Sequence, residues 1–237
     1  MTEKIYSIDA YASSMDAAVV DFNCDDGRLL LDRTVFYPGG GGQPPDTGRL
    51  WVGDDRLDVV RVTADDRGVW HWVEGSLPGS GTSLRGELDW ERRYDLMRTH
   101  TAMHAMCGVV WNRFHSPVTG GNMEAGEGRL DFELPDWDPE NRQPIETELN
   151  RQLASALPVT VGFLPRHEAD LDPSLIRTKV SLLPPELREV RVIDIVGLDR
   201  QADGGTHVES TSEVGAVKIT KVESKGRGFR RIRFVLA

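Results

Sequence analysis

The sequence predicts an α+β protein in which a small β-barrel precedes a domain of mixed helices and strands. Residues 1–86 contain short apolar runs separated by Gly, Pro and Asp clusters, which is typical of strands and turns. From Asp89 onwards, apolar or small residues recur every three or four positions, which is the period of a helix. Strands first, then helices mixed with strands, indicate an α+β fold with a domain boundary between residues 86 and 87.

The first domain is predicted to contain short strands at a spacing typical of a small barrel or sandwich. These strands cover residues 17–22, 29–37, 58–63 and 69–73. In the second domain, Asp89 is a good N-cap for one long helix over residues 90–113. The other predicted elements of this domain are a helix over 144–157, buried strands over 159–164 and 190–196, and a hairpin that joins 214–223 to 229–236.

Composition excludes several classes of protein without naming a function. The 28 Lys and Arg residues are outnumbered by 38 Asp and Glu residues, so binding through overall positive charge is disfavoured. The N-terminus lacks the apolar core of a signal peptide, and no run is long enough to span a membrane. With Cys24 and Cys107 as its two cysteines, the chain is expected in the reducing cytoplasm, without a membrane or a disulfide-linked partner.

Two histidines, His100 and His104, lie four residues apart on the long predicted helix. Residues at this spacing share one helix face, so both imidazoles can bind one metal ion; the alternative is two core or surface histidines that happen to be neighbours. A third histidine, His207, follows Asp203 and two glycines, which allow backbone conformations that other residues avoid. An ordinary turn with an exposed histidine is the alternative there. Taken together, these four side chains supply the number of nitrogen and oxygen ligands that tetrahedral zinc uses.

Two other positions on the same helix, Cys107 and Thr101, bear on which residues bind the metal and on which enzyme class is possible. Cys107 lies about 10.5 Å along the helix from His100, too far for both to bind one ion, so we interpret it as a small core residue. Helical zinc peptidases have Glu directly after the first histidine as general base, whereas this chain has Thr101. A peptidase is therefore disfavoured.

A glycine-rich segment, Tyr-Pro-Gly-Gly-Gly-Gly-Gln-Pro-Pro, covers residues 37–45. Consecutive glycines such as Gly41 and Gly42 expose backbone N–H groups and let a ligand approach closely. Gln43 offers both a donor and an acceptor to such a ligand. A flexible turn in a barrel has the same composition, so this segment alone is weak evidence for a site.

The C-terminal segment is basic although the whole chain carries a net charge of −10. Residues 218–237 contain seven basic residues and one acidic residue. Arg231 and Arg233 alternate with apolar residues, so one face of this predicted strand is basic. Such a face is usually only solvated, but with Arg230 it is the best candidate in this chain for contact with a phosphate backbone.

Three sequence blocks, in this order, resemble the editing module of alanyl-tRNA synthetases and its free-standing form, the AlaX family. The first is Thr-Val-Phe-Tyr-Pro-Gly-Gly-Gly-Gly-Gln at residues 34–43, with Asp46 and Gly48. The second is Asp-Trp-Glu-Arg-Arg at residues 89–93, which leads into Met-Arg-Thr-His-Thr-Ala-Met-His at residues 97–104. The third is Asp-Gly-Gly-Thr-His-Val at residues 203–208. The resemblance implies the medium-length AlaX form, with a β-barrel followed by an editing domain of the threonyl/alanyl-tRNA synthetase type.

The resemblance also implies an activity, which is hydrolysis of the ester that joins a wrong amino acid to alanine tRNA. Serine is the usual wrong amino acid, and glycine is a second candidate. His100, His104 and His207 match the zinc-binding histidines of the family, whereas Asp203 stands where the family usually has Cys. A carboxylate oxygen also binds zinc, but it is a harder ligand than a thiolate.

The remaining site residues implied by the resemblance lie around the glycine-rich segment. Gln43 and the amides of Gly41 and Gly42 are expected to position the ester or stabilise its developing oxyanion. Thr34 is expected to hydrogen-bond the serine hydroxyl and so to spare alanine. Two other functions stay open: a tRNA-binding module that has lost catalysis, and a zinc hydrolase that acts on small esters.

Overall fold

The computed structural model describes residues 2–172, 175 and 188–237. The chain forms two compact units, one that ends at Asp95 and one that begins at Leu96, so the first turns of the long helix belong to the first unit. Within the described ranges, no helix combines the length and the apolar character that crossing a membrane requires.

The first unit consists mainly of strands that close into a barrel. Its strands are β1 (Glu3–Lys4), β2 (Ser14–Asn23), β3 (Arg28–Leu31), β4 (Arg33–Thr34), β5 (Gly48–Val52), β6 (Asp55–Ala64), β7 (Val69–Glu74) and β8 (Ser83–Leu88). The closed barrel has the strand order β2-β3-β7-β6-β5-β8, and its neighbouring strands are antiparallel. The predicted small barrel is therefore confirmed.

Apolar side chains from alternate strand positions fill the barrel. Leu29, Leu31, Leu50 and Val62 are fully buried in this core, and each such burial is worth about 1.5–3 kcal/mol. The strand predicted over residues 29–37 is interrupted after Leu31, and the short β4 that follows pairs with β1 in parallel. The glycine-rich segment then leaves the sheet.

The second unit combines two sheets with helices. Its elements are α1 (Trp90–Phe114), which begins in the first unit, β9 (Val118–Glu124), β10 (Glu127–Glu133), α2 (Arg142–Ala154), β11 (Val159–Pro165), α3 (Arg166–Ala169), β12 (Glu189–Ile195), β13 (Asp199–Ala202), β14 (Val217–Ser224) and β15 (Phe229–Leu236). One sheet has the order β14-β15-β10-β9 and the other has the order β11-β12-β13. The α+β class is confirmed.

The helices follow their predicted positions with one exception. The long helix is confirmed, and Asp89 caps it because its Oδ1 accepts the Arg92 N–H at 3.3 Å. The second helix ends three residues earlier than predicted. Ala156 has a φ of +53°, a left-handed conformation that a helix cannot continue. Leu157 therefore lies outside α2, whose buried face carries Ile145, Leu149 and Leu153.

The C-terminal hairpin is confirmed, but its first strand begins at Val217 rather than at residue 214. The residues before it form a 3₁₀ turn, Thr211–Val214, which is closed by a capping box between Ser210 and Glu213. In this box the Glu213 side chain accepts the Ser210 N–H, and Ser210 caps the turn. The turn uses the backbone groups that would otherwise extend the strand.

The hairpin of β9 and β10 was not predicted, because its glycines make it unlike a strand in sequence. The structure explains those glycines by close packing. A Cβ at Gly121 would lie 2.9 Å from the Cε of Met103, and a Cβ at Gly128 would lie 2.6 Å from the Cζ of Phe234. A side chain at position 128 would meet the buried Phe234 ring, whereas at position 121 it would meet the flexible end of Met103.

Candidate metal centre and glycine-rich loop

Four side chains in the second unit converge on one point. One ligand atom from each of His100, His104, Asp203 and His207 lies within 4.8 Å of the others. The His100 and His207 rings stack with their centroids 4.3 Å apart, and the His104 ring is edge-on to both. The three histidines are buried, and the Asp203 side chain is 11% exposed. The sequence-predicted ligands are thus brought together.

Helix α1 supplies two of these side chains, and close packing on its buried face brings a further element beside them. Gly108 follows His104 by about one turn, and a Cβ there would lie 2.6 Å from the Leu198 carbonyl oxygen. The turn between β12 and β13 therefore approaches the helix backbone at this glycine. As a result, Asp199 at the start of β13 lies beside His104.

The loop after β13 supplies Asp203 and His207. Neither Gly204 nor Gly205 has a positive φ, so the loop does not use the left-handed conformations that glycine permits. Hydrogen bonds hold the loop instead. The Arg191 guanidinium donates to the carbonyls of Asp203 and Gly205 at 2.9 and 2.8 Å, and Asp203 Oδ2 accepts the Gly205 N–H at 2.6 Å.

The protonation states of the cluster suit a metal ion. Burial lowers the pKa of His100 to about 4. Burial, together with the neighbouring His100, also lowers the pKa of His207 well below its usual value. Burial alone would raise the pKa of Asp203, but the adjacent His100 and His207 outweigh it and hold that pKa well below the usual range. Near pH 7 these two imidazoles are neutral and the carboxylate is ionised, as metal binding requires.

The spacing of the donors also fits one ion. Donor atoms about 2.1 Å from a tetrahedral zinc ion lie about 3.4 Å from one another. Asp203 Oδ2 lies 3.2 Å from His207 Nε2, and Asp203 Oδ1 lies 3.6 Å from His100 Nε2. Three imidazoles and one carboxylate therefore fit zinc in number and chemistry, and their donor atoms, within 4.8 Å of one another, would move closer together around an ion.

Three residues around the cluster were missed by the sequence analysis. Asp199 Oδ2 lies 3.1 Å from His104 Nδ1 and accepts the Gln201 Nε2–H at 2.7 Å. Thr101 Oγ1 lies 3.2 Å from His207 Nδ1. All three side chains are buried. Thr101 could have been found from its place on the histidine face of α1, but no sequence signal marks Asp199 or Gln201.

In the first unit, the glycine-rich loop has a conformation that only glycine adopts readily. The φ angles of Gly39, Gly40, Gly41 and Gly42 are +85°, +128°, +60° and +91°. Two backbone hydrogen bonds between Gly40 and Gln43, of 3.0 and 2.9 Å, close the loop. Within the described part of the chain, the amides of Gly41 and Gly42 make no hydrogen bond. The Gln43 side chain is buried.

Thr34 lies just before this loop and is fully buried. Its Oγ1 accepts the Phe36 N–H at 3.0 Å and lies 2.8 Å from Nε2 of His71. Burial lowers the pKa of His71 to about 4, so the ring is neutral near pH 7. His71 Nδ1 faces the Leu29 carbonyl at 3.4 Å, and a carbonyl can only accept. Nδ1 therefore carries the proton, and Nε2 accepts from the Thr34 hydroxyl.

The predicted tRNA-binding arginines lie on β15, where Arg231 and Arg233 alternate with buried apolar residues as expected. Both arginines have acidic partners. Arg231 donates twice to Asp131 at 2.7 Å, and its side chain is 15% exposed. Arg233 pairs with Glu223 at 2.6 Å and is 44% exposed. Of these two, Arg233 presents the more accessible charge.

Comparisons with known proteins identify a family domain in this chain. Residues 190–233 match the family tRNA_SAD, described as the threonyl and alanyl tRNA synthetase second additional domain. This match begins in β12 and includes two of the four clustered side chains, Asp203 and His207.

Two relatives that match this chain over its full length carry the same name in different organisms. The Alanyl-tRNA editing protein AlaX-M of Methanosarcina barkeri is 36% identical over 100% of this chain and 99% of its own length. The protein of that name from Saccharolobus solfataricus is 34% identical with the same coverage. The alanine–tRNA ligase of Pyrobaculum neutrophilum is 37% identical over 99% of this chain, which corresponds to 26% of the ligase. This protein belongs to the AlaX family of alanyl-tRNA editing proteins.

Proposed function

We propose that this protein is a trans-editing hydrolase, which removes a wrong amino acid from alanine tRNA by cleaving the aminoacyl ester. Serine is the main substrate amino acid, and glycine is a second one. The observation that carries the proposal is the buried cluster of His100, His104, Asp203 and His207 in a chain of the AlaX family. A second, hydrolytic sieve of this kind is needed because a binding pocket discriminates poorly between amino acids of similar size.

The cofactor in this proposal is one zinc ion held by those four side chains. When bound, zinc would supply Lewis-acid polarisation of the ester carbonyl or of the attacking water. Burial suppresses protonation of His100 and His207, so both imidazoles keep the lone pairs that a zinc ion would bind. The Asp203 carboxylate gives a harder donor set than the thiolate usual in the family.

The glycine-rich loop is proposed to bind the ester group. The amides of Gly41 and Gly42 have no hydrogen bond within the described residues, so both N–H groups can donate to an oxyanion. The positive φ angles of both residues make any larger side chain unfavourable there. Gln43, next to them, is proposed to orient the ester through its side-chain amide.

Thr34 is proposed to select serine over alanine. A hydroxyl group has one donor and two acceptor positions. In Thr34 the proton goes to His71 and one lone pair accepts the Phe36 N–H, so one acceptor position remains. The hydroxyl of a serine substrate can donate to that position. Alanine has no hydroxyl, so its binding would leave a buried polar group without this partner.

The tRNA itself is proposed to contact the basic face of β15 through Arg230, Arg231 and Arg233. The support for this part is their clustering in an otherwise acidic chain, and Arg233 is the more exposed of the two ion-paired arginines. The acidic partners of Arg231 and Arg233 reduce the net charge of this face. Phosphate contacts would therefore replace some of these ion pairs.

The experiment that tests the proposed function compares hydrolysis of alanine tRNA charged with serine, glycine and alanine. We expect rapid release of serine and little release of alanine. Thr34→Val, which is nearly the same size but lacks the hydroxyl, should reduce this selectivity. Binding of the charged tRNA without hydrolysis would favour the tRNA-binding module. Equal hydrolysis of a short aminoacyl ester without the tRNA body would favour the small-ester hydrolase.

A further inference from the structure

Two of the four clustered histidine and aspartate side chains are held from outside the cluster by buried polar partners. His104 Nδ1 lies 3.1 Å from Asp199 Oδ2. A carboxylate oxygen accepts a hydrogen bond, so Nδ1 carries a proton, and His104 would bind a metal ion through Nε2. Nε2 is the ring nitrogen on the side away from Asp199.

The Asp199 carboxylate is itself held in place by a buried hydrogen bond. Its side chain is fully buried, and it accepts the Gln201 Nε2–H at 2.7 Å. Asp199 and Gln201 are two residues apart on β13, so both side chains lie on the same face of the sheet. The Leu198 backbone, which packs against Gly108, fixes the start of this strand relative to α1. The carboxylate is therefore held at a defined place beside His104.

His207 is also held by a side chain outside the cluster, although here it is a hydroxyl and not a carboxylate. Its Nδ1 lies 3.2 Å from Thr101 Oγ1, and its Nε2 faces Asp203 Oδ2 at 3.2 Å. Thr101 Oγ1 also accepts the Val208 N–H at 3.3 Å. Thr101 lies between His100 and His104 on α1. One turn of this helix therefore carries two candidate ligands and also the side chain that contacts the third histidine.

We propose that Asp199, held by Gln201, is a positioning residue that fixes His104 with Nε2 towards the metal, and that Thr101 does the same for His207. This inference rests on the metal site of the proposed function, which names the ligands but not these supports. A carboxylate on the far nitrogen also makes the imidazole a better electron donor. Loss of such a support typically lowers metal affinity about 10–100-fold.

The test measures zinc affinity by competition with a chromophoric chelator, using purified full-length protein. Asp199→Ala removes the acceptor and should lower zinc affinity about 10–100-fold. Asp199→Asn keeps the shape and one acceptor oxygen, so its affinity should lie between those of Asp199→Ala and the wild type. Asp131→Asn is the control, because this carboxylate belongs to the same unit but pairs with Arg231. Its zinc affinity should be unchanged.

A second readout separates positioning from general loss of structure. Cobalt replaces zinc in the same purified variants, and its visible absorption spectrum reports the geometry of the ligands. We expect an altered spectrum in Asp199→Ala and Thr101→Val and a wild-type spectrum in Asp131→Asn. Unchanged zinc affinity and an unchanged cobalt spectrum in both Asp199 variants would overturn the inference. A wild-type protein that binds no zinc would contradict the proposed metal site and this inference with it. A wild-type protein that binds zinc but does not hydrolyse the ester would contradict only the proposed activity.

Discussion

Arg93 and Asp46 form a buried ion pair that closes the base of the glycine-rich loop. The Arg93 Nε lies 3.0 Å from Asp46 Oδ1, and its Nη2 also contacts Asp46 Oδ2. Nη2 donates to the Val35 carbonyl and Nη1 to the Ala10 carbonyl. Asp46 in turn accepts the Tyr37 N–H at 2.6 Å. The two ends of the loop are thereby tied to the first turn of α1.

Removal of one member of this pair should strongly destabilise the protein. Both side chains are almost completely buried, so Asp46→Asn would leave the Arg93 charge uncompensated away from water. The expected loss in the free energy of unfolding is about 3–5 kcal/mol. Urea unfolding followed by tryptophan fluorescence would measure it.

The matched control for this substitution is Asp58→Asn. Asp58 also accepts from an arginine of the first unit, Arg56, but both side chains are exposed. Such pairs contribute at most about 1 kcal/mol. Equal losses in the two variants would contradict the importance of burial.

The sequence was sufficient to predict the parts of the protein that follow from local patterns. The helical period identified α1, and the spacing of His100 and His104 on it predicted their shared face. The glycine run predicted a loop, and all four of its φ angles are positive. These features depend on residues close in sequence, for which periodicity and backbone preference are reliable guides.

Features that depend on tertiary contacts were missed. Asp199 is 95 positions from His104, and tertiary packing such as that of Leu198 against Gly108 brings the two side chains together. The hairpin of β9 and β10 was not predicted, because the packing of its glycines against Met103 and Phe234 is a tertiary contact. The prediction extended α2 to Leu157 because this residue is apolar. In the structure the helix ends before Ala156, which has a left-handed conformation.

The second prediction concerns the ligand that departs from the family pattern. If Asp203 binds zinc directly, Asp203→Cys should bind zinc more tightly, because a thiolate is a softer and better-matched donor. Asp203→Ala should bind zinc more weakly but keep three histidines, which with water is a workable catalytic arrangement. Zinc titration of the wild type and both variants is the measurement. Weaker binding by the Cys variant would contradict direct ligation and favour an indirect role for Asp203.

The third prediction concerns His71 and pH. Burial lowers its pKa from 6.5 to about 4, so between these values the unfolded chain binds a proton that the folded chain does not. The free energy of unfolding should therefore fall as pH decreases from 6.5 to 4, by up to about 3 kcal/mol from this group.

His71→Gln cannot titrate and should show a smaller loss of stability over this pH range than the wild type. The matched control is His115→Gln, since His115 is exposed. The measurement is the urea midpoint at several pH values in this range. A wild-type pH dependence in His71→Gln would exclude His71 as the source.

The fourth prediction concerns tRNA binding. Arg233→Gln removes the more accessible charge of the two ion-paired arginines on β15, and should weaken binding and reduce the salt slope by about 0.7–0.9 if one phosphate contact is lost. Arg151→Gln is the control, because Arg151 is equally an exposed, ion-paired arginine but lies on α2. Binding would be measured at several salt concentrations. Identical slopes in the two variants would remove β15 from the proposed interface.

The central claim is that the four-residue cluster holds a metal ion needed to hydrolyse the ester of serine-charged alanine tRNA. The most direct measurement follows serine release by protein that has been stripped with a chelator and then reconstituted with a stoichiometric amount of zinc. The stripped protein should be inactive and the reconstituted protein active, and His104→Ala should not regain activity at the same zinc concentration. Full activity of the stripped protein, or no hydrolysis by the zinc-loaded protein, would contradict the claim.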